Sequence, residues 1–236
     1  MLYLILHSQG TCACDELDNL YIIISCLQEE LDHLLPAKLN KFRMLSLTEN
    51  GACMVVLKIN KHFVCGSRSF AAKDEIFCLF EGVLDNLGRL SQQYGLSKGG
   101  NEVLLVIEAY KTLRDRAPYP ASFMLSQLTG SYAFVLFDKS TSSLLVASDP
   151  EGKVPLFWGI TADGCVAFSD DIDLLKGSCG KSLAPFPQGC FYWNALGGLK
   201  SYENPKNKVT AVPADEEEIC GATFMVEGST VVAALQ

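Results

Sequence analysis

No stretch of the 236 residues approaches the roughly 20 consecutive apolar residues that a membrane-spanning helix needs, so no integral membrane association is expected. Histidine is scarce: His7, His33 and His62 stand far apart. No Cys-x-x-Cys pair occurs, and Cys12-Ala13-Cys14 is the one close cysteine spacing. A zinc site wants Cys or Cys/His ligands at short spacing, so no metal is expected, and nothing in the sequence calls for a cofactor. Basic charge is in deficit, with 19 Lys and Arg against 27 Asp and Glu and a net charge of -8. Phosphate backbones and anionic lipids attract Lys and Arg, which disfavours nucleic acid as a partner. Charged residues make up only 19% of the chain and apolar residues 49%. That balance excludes a disordered protein and leaves enough apolar material for one large domain or two small ones.

The opening segment MLYLILHSQGTCACDE lacks the pattern of an export signal. Its apolar run covers only Leu2 to Leu6, no basic residue precedes it, and acids follow at Asp15 and Glu16. The ten cysteines are therefore expected to be reduced thiols in a cytoplasmic or nuclear protein.

Apolar residues recur at three-to-four spacing from Leu17 to Leu35, with Asp15 as a cap and Pro36 as a stop. That pattern predicts a core-packing helix. Strands are expected over 53–59 and 76–80; the second is almost wholly apolar and belongs in the middle of the molecule. The stretch NEVLLVIEAYKTL predicts a helix from Asn101 to Leu113, with Asn101 as its cap. From Tyr132 the segments SYAFVLFD, SSLLVASD, LFWGI and CVAFSD are divided by turn residues, which predicts an antiparallel meander and an α+β class.

The order of motifs from Ile76 to Tyr192 resembles the class II glutamine amidotransferase domain, as in the N-terminal half of asparagine synthetases. The motifs are EIFCLFEGVLDNLGRL, a helix beginning NEV, LTGSYAFVLFD, LLVASDPEGKVPLFWG, GCVAFSDDIDLL and FPQGCFYW. Tyr94-Gly95-Leu96 and Leu113-Arg114-Asp115-Arg116 are the YGL and LRDR signatures of the plant aluminium-induced, stem-specific protein family, a divergent relative of that domain. The resemblance covers about Arg68 to Phe224. Residues 68–228 are expected to form the amidotransferase-like domain. Residues 1–67 form a divergent N-terminal part of it, and 229–236 a tail.

This resemblance implies a four-layer αββα sandwich of two antiparallel sheets flanked by helices, like the N-terminal nucleophile hydrolases. It also implies a pocket, and this sequence departs from it. The family's nucleophile is a cysteine at position 2, activated by its own α-amine; position 2 here is Leu2. The family's oxyanion hole uses an Asn side chain and the next Gly N–H; the matching pair is Glu81-Gly82. The substrate-binding Asp of the "D-T-E" motif matches Gly100, two residues before Glu102. A vestigial pocket of Leu2, Glu81, Gly82, Gly100 and Glu102 with no catalytic residue is therefore expected. Gly82 is expected to start a turn. That weakens the alternative in which Glu81 and Asp85 form an acid/base pair.

Elsewhere the resemblance implies scaffold. Gly130 needs a positive φ; Asp149, Gly152, Pro155, Leu156 and Trp158 match a family hairpin whose Arg is replaced by Ser148; Asp170 and Asp171 are turn or cap residues; and Pro187-Gln188-Gly189 turns the chain into a strand. Gly95 ends a helix in a left-handed residue, with Leu96 packing back. Arg114 and Arg116 complement a helix C-terminus, or alternatively grip a carboxylate or phosphate. The expected function is non-catalytic binding or self-association, as a homodimer or with another protein, in stress, metal or hormone response. The alternatives are a hydrolase with another nucleophile and a pocket that senses an amino acid or anion.

Overall fold

The computed structural model describes residues 3–6, 42–47, 53–58, 68–97, 100–116, 120–162, 166–215 and 219–228. The helix expected over 17–35 lies outside them, as do Leu2, Cys12 and Cys14. Chain order runs β1 (Tyr3–Leu6), β2 (Phe42–Leu47), β3 (Cys53–Lys58), β4 (Arg68–Lys73), β5 (Ile76–Leu84), α1 (Leu87–Gln93), α2 (Glu102–Asp115) and α3 (Ala121–Ser126). It continues through β6 (Gly130–Asp138), β7 (Ser143–Ser148), β8 (Phe157–Ile160), β9 (Val166–Ser169), α4 (Ile172–Cys179), β10 (Ala184–Pro185), β11 (Cys190–Trp193), β12 (Gly198–Ser201), β13 (Val209–Pro213) and β14 (Ala222–Val226).

The larger sheet has six strands in the order β12-β11-β7-β6-β5-β4, and the smaller has four in the order β1-β9-β8-β10. All neighbours within both sheets are antiparallel. β13 pairs with β14 and β2 with β3 as separate ribbons. The expected meander is β6 to β9, but its hairpins serve two sheets: β6 and β7 lie in the larger, β8 and β9 in the smaller.

Period-two alternation explains the layering. On one face of the larger sheet, Ile76, Cys78, Phe80, Tyr132, Phe134, Leu136, Leu145 and Ala147 pack against helix residues such as Val103, Val106, Ile107 and Met124. On the other face, Leu79, Ala133, Val135, Phe137, Leu144 and Val146 meet Trp158 and Phe168 of the smaller sheet. The far side of the smaller sheet packs Ala167 against Leu175 and Cys179 of α4. The order is helix, sheet, sheet, helix, the expected αββα sandwich. Strand segments buried on both faces must be apolar at every position, which is why residues 76–80 of β5 and 132–137 of β6 read as unbroken hydrophobic runs. Each fully buried large side chain among them, such as Phe134 or Leu136, contributes about 1.5–3 kcal/mol.

Trp158 is the hub between the sheets. Its ring centroid lies 5.0 Å from Phe224, 5.8 Å from Phe186, 6.0 Å from Tyr192 and 6.1 Å from Phe168. The β14 strand thus delivers Phe224 into the same core.

Helix α2 forms as its sequence dictates. Asn101 caps it, its side chain accepting from the Leu104 N–H at 3.2 Å. Val103, Val106, Ile107, Tyr110 and Leu113 form its buried stripe. Helix α1 ends in a Schellman turn: the Leu96 N–H bonds the Ser91 carbonyl at 2.8 Å, the Gly95 N–H bonds Gln92 at 3.3 Å, and Gly95 has φ +69°. YGL is therefore the expected helix terminus.

One expectation is corrected. β5 does not stop at Phe80, and Gly82 does not start a turn: the strand runs on to Leu84, with Gly82 opposite Tyr132 and Leu84 opposite Gly130. Gly82 has φ +121° and Gly130 φ +141°, so the two strands continue through a backbone conformation that residues with a β-carbon rarely adopt. Helices α3 and α4 had no counterpart among the sequence expectations, apart from Asp171 as a cap. Its carboxylate accepts from the Asp173 N–H at 3.0 Å.

Candidate functional site

The expected pocket residues fall into two packing environments. Glu81 has the same parity as Leu79 along β5, so it lies on the face turned toward the smaller sheet. It is partly buried, and Arg68 of β4 stands opposite it in register. Beside it, Gly82 is pressed against β6: a β-carbon would fall on the Ser131 carbonyl oxygen and 2.8 Å from Tyr132 Cα. The approach of two backbones demands this glycine. Asp85 is exposed, and its N–H bonds the Thr129 carbonyl at 2.8 Å.

Gly100 sits against YGL. A β-carbon there would meet Leu96 Cδ2 at 2.6 Å, so any side chain at this position must displace Leu96. The residue that closes the helix C-terminus therefore occupies the space next to Gly100. Glu102 is the first residue of α2 and is partly buried. Leu2 lies outside the described residues; β1 begins at Tyr3, opposite Ser169.

Cys78 is fully buried among the helix-facing residues of β5, and burial pushes its thiol well up, away from the reactive thiolate. That is a core cysteine.

The LRDR segment does more than complement a helix end. Arg114 Nε donates to Asp115 Oδ1 at 2.8 Å, and its Nη1 donates to Asp138 Oδ2 at 3.2 Å. Asp138 ends β6 and is wholly buried. The same carboxylate accepts from Tyr110 Oη at 3.1 Å, from the Ser140 N–H at 2.9 Å and from Ser140 Oγ at 2.6 Å. Arg114 thereby ties α2 to the β6–β7 hairpin, while Arg116 is exposed.

Burial opposes ionisation of Asp138, but the bonds from Ser140, Arg114, Thr141 and Tyr110 outweigh it and hold the carboxyl below the usual carboxylate range. A carboxylate depressed in the folded state contributes stability above its unfolded pKa and loses that contribution as pH falls through the folded value. Asp138→Asn should therefore cost about 2–3 kcal/mol at neutral pH, and the gap to wild type should narrow below about pH 4. Urea unfolding at several pH values checks this; a gap independent of pH would refute it.

A second buried carboxylate organises the crossover between the sheets. Asp149 follows β7 and accepts from the backbone N–H groups of Glu151 (2.8 Å), Tyr132 (3.1 Å), Lys153 (3.2 Å) and Val154 (3.4 Å). Its own carbonyl accepts from the Gly189 N–H at 3.0 Å, so the PQG turn closes against the same point. Ser148 uses its carbonyl to accept from Tyr202 Oη at 2.8 Å. Tyr202 is in turn 3.1 Å from Tyr132 Oη. A tyrosine pair fills that region.

A family model described as aluminium induced protein matches residues 24–226. The chain belongs to the aluminium-induced protein family. The family match begins well ahead of Arg68, where the recognisable motifs begin. The stem-specific protein TSJT1 of Nicotiana tabacum is 48% identical over 80 residues, 34% of this chain and 54% of the tobacco protein. A probable glutamine-hydrolysing asparagine synthetase of Dictyostelium discoideum is 33% identical over 99 residues, 40% of this chain and 18% of the synthetase. Asparagine synthetase 2 of Oryza sativa subsp. japonica is 34% identical over 90 residues, 38% of this chain and 15% of the synthetase. Family membership thus comes with glutamine amidotransferase-like sequence, over about half of the tobacco relative and under a fifth of these two synthetases. Among solved structures, glutamine phosphoribosylpyrophosphate amidotransferase from B. subtilis matches 64% of this chain and 34% of its own, with a TM-score of 0.45 and 20% identity.

Among the described residues no group of three metal-ligating side chains forms, and no helix is long and apolar enough to cross a membrane.

Proposed function

We propose that this member of the family is a non-catalytic amidotransferase-like protein that acts by binding a protein partner or a second copy of itself. The observation that carries this is Glu81. It stands beside Gly82 on the face toward the second sheet, at the position where the amidotransferase motif places an amide donor for the oxyanion. A carboxylate accepts hydrogen bonds and repels developing negative charge; losing one oxyanion donor alone commonly costs about a hundredfold to a thousandfold in rate. Leu96 packed over Gly100 supports the same conclusion from the substrate side. The family's name suggests a role in metal or stress response, which we place in the cytosol or nucleus, where thiols stay reduced.

The test is glutamate release from glutamine by the full chain, with a glutamine-hydrolysing asparagine synthetase as positive control. No release above the uncatalysed rate is expected, and Glu81→Asn alone should not create it. Release by the wild-type chain that disappears in Glu81→Ala would overturn the proposal. Light scattering on the purified chain reads self-association directly.

A further inference from the structure

A cavity of about 600 Å3 opens on the helix-covered side of the larger sheet, where α2 ends, α3 begins and β11 and β12 form the sheet margin. That volume is typical of small-molecule sites. Glu81 lies on the opposite face of the sheet, so the cavity is separate from the amidotransferase-type pocket.

Arg114 and Lys200 line it, and no Asp or Glu lines it among the described residues, although Asp115 and Asp138 stand behind Arg114 and balance its charge. Arg114 uses three of its five N–H groups on Asp115 and Asp138. Lys200 is exposed and forms no ion pair among the described residues. Phe191 and Trp193 supply aromatic wall, and Trp193 packs edge-on against Tyr110 with centroids 6.5 Å apart.

We infer that this cleft binds a small anion carrying an aromatic ring, an aryl carboxylate or aryl phosphate. The ring stacks with the aromatic wall and the anion meets Lys200 and the remaining N–H groups of Arg114. The LRDR arginine then has two duties: it anchors buried Asp138 and it presents donors to the ligand. The buried carboxylate holds the guanidinium in place, as a preorganised site requires.

Calorimetric titration of the full chain with phenylacetate, phenyl phosphate, inorganic phosphate, benzylamine and glutamine tests this. At least one aryl anion should bind saturably with Kd below about 1 mM. Inorganic phosphate should be at least about tenfold weaker and benzylamine should not bind, because ring and anion are both needed. Glutamine should not compete. Lys200→Glu should weaken the aryl anion by about tenfold or more while leaving the melting temperature unchanged, since Lys200 is exposed. No saturable binding of either aryl anion up to about 10 mM, equal affinity for benzylamine, or unchanged affinity in Lys200→Glu would each overturn the inference.

Discussion

Replacing Asp149 with alanine is expected to lower the stability of the protein by about 2–4 kcal/mol and its melting temperature by roughly 10 °C. The carboxylate is fully buried and holds four backbone N–H groups. Its removal leaves the Tyr132 N–H buried without this acceptor, and releases the loop that carries the chain from β7 in one sheet to β8 in the other. The three loop N–H groups can turn to water, so the loss is well short of four charge-assisted bonds. Asp149→Asn should fall between, because it keeps one acceptor oxygen but turns an NH2 group toward donors. Urea unfolding followed by circular dichroism checks the series. A loss below about 1 kcal/mol for alanine would show that the crossover does not depend on this residue.

Gly82→Ala is expected to be more damaging still, with a cost above about 4 kcal/mol and a chain that fails to reach the folded state in quantity. Two independent effects add. The residue has φ +121°, which costs an L-residue on the order of 1–3 kcal/mol. The new methyl group would also occupy the position of the Ser131 carbonyl oxygen, which belongs to the β5–β6 ladder and cannot move without parting central strands. Gly88→Ala is the internal control. Gly88 lies in α1, shows no positive φ, and has nothing within 4 Å of where its β-carbon would be, so alanine there should be neutral or stabilise by up to about 1 kcal/mol. Soluble expression and thermal unfolding of the two variants side by side decide the matter; equal behaviour would refute the backbone-approach explanation. The consequence for function is direct. Gly82 is required by packing, so its presence beside Glu81 is no sign of retained amidotransferase chemistry.

The polar network around Arg114 shows where pattern reading stopped. LRDR was recognisable as a motif, and its position at the end of α2 followed from apolar periodicity. Its partner Asp138 is 24 residues away in sequence, at the end of an apolar strand, where an Asp reads as an ordinary turn residue. Asp149 was likewise visible as part of a hairpin motif, but its four N–H partners come from two segments that only the fold brings together. Gly82 misled for a related reason: glycine signals a turn locally, whereas here the neighbouring strand approaches too closely for a β-carbon.

Sequence alone was enough to specify the α+β class, the α2 helix with its Asn101 cap, the Schellman end at Gly95 and the apolar central strands. Each is written in local periodicity, in capping chemistry or in motif order. Tertiary structure decided which hairpins serve which sheet, that Leu96 lies over Gly100, that two buried carboxylates pin helix to hairpin and sheet to sheet, and that Arg114 and Lys200 share a cleft. Those depend on contacts between residues far apart in the chain, which form because antiparallel strands apolar on both faces must be covered on both sides.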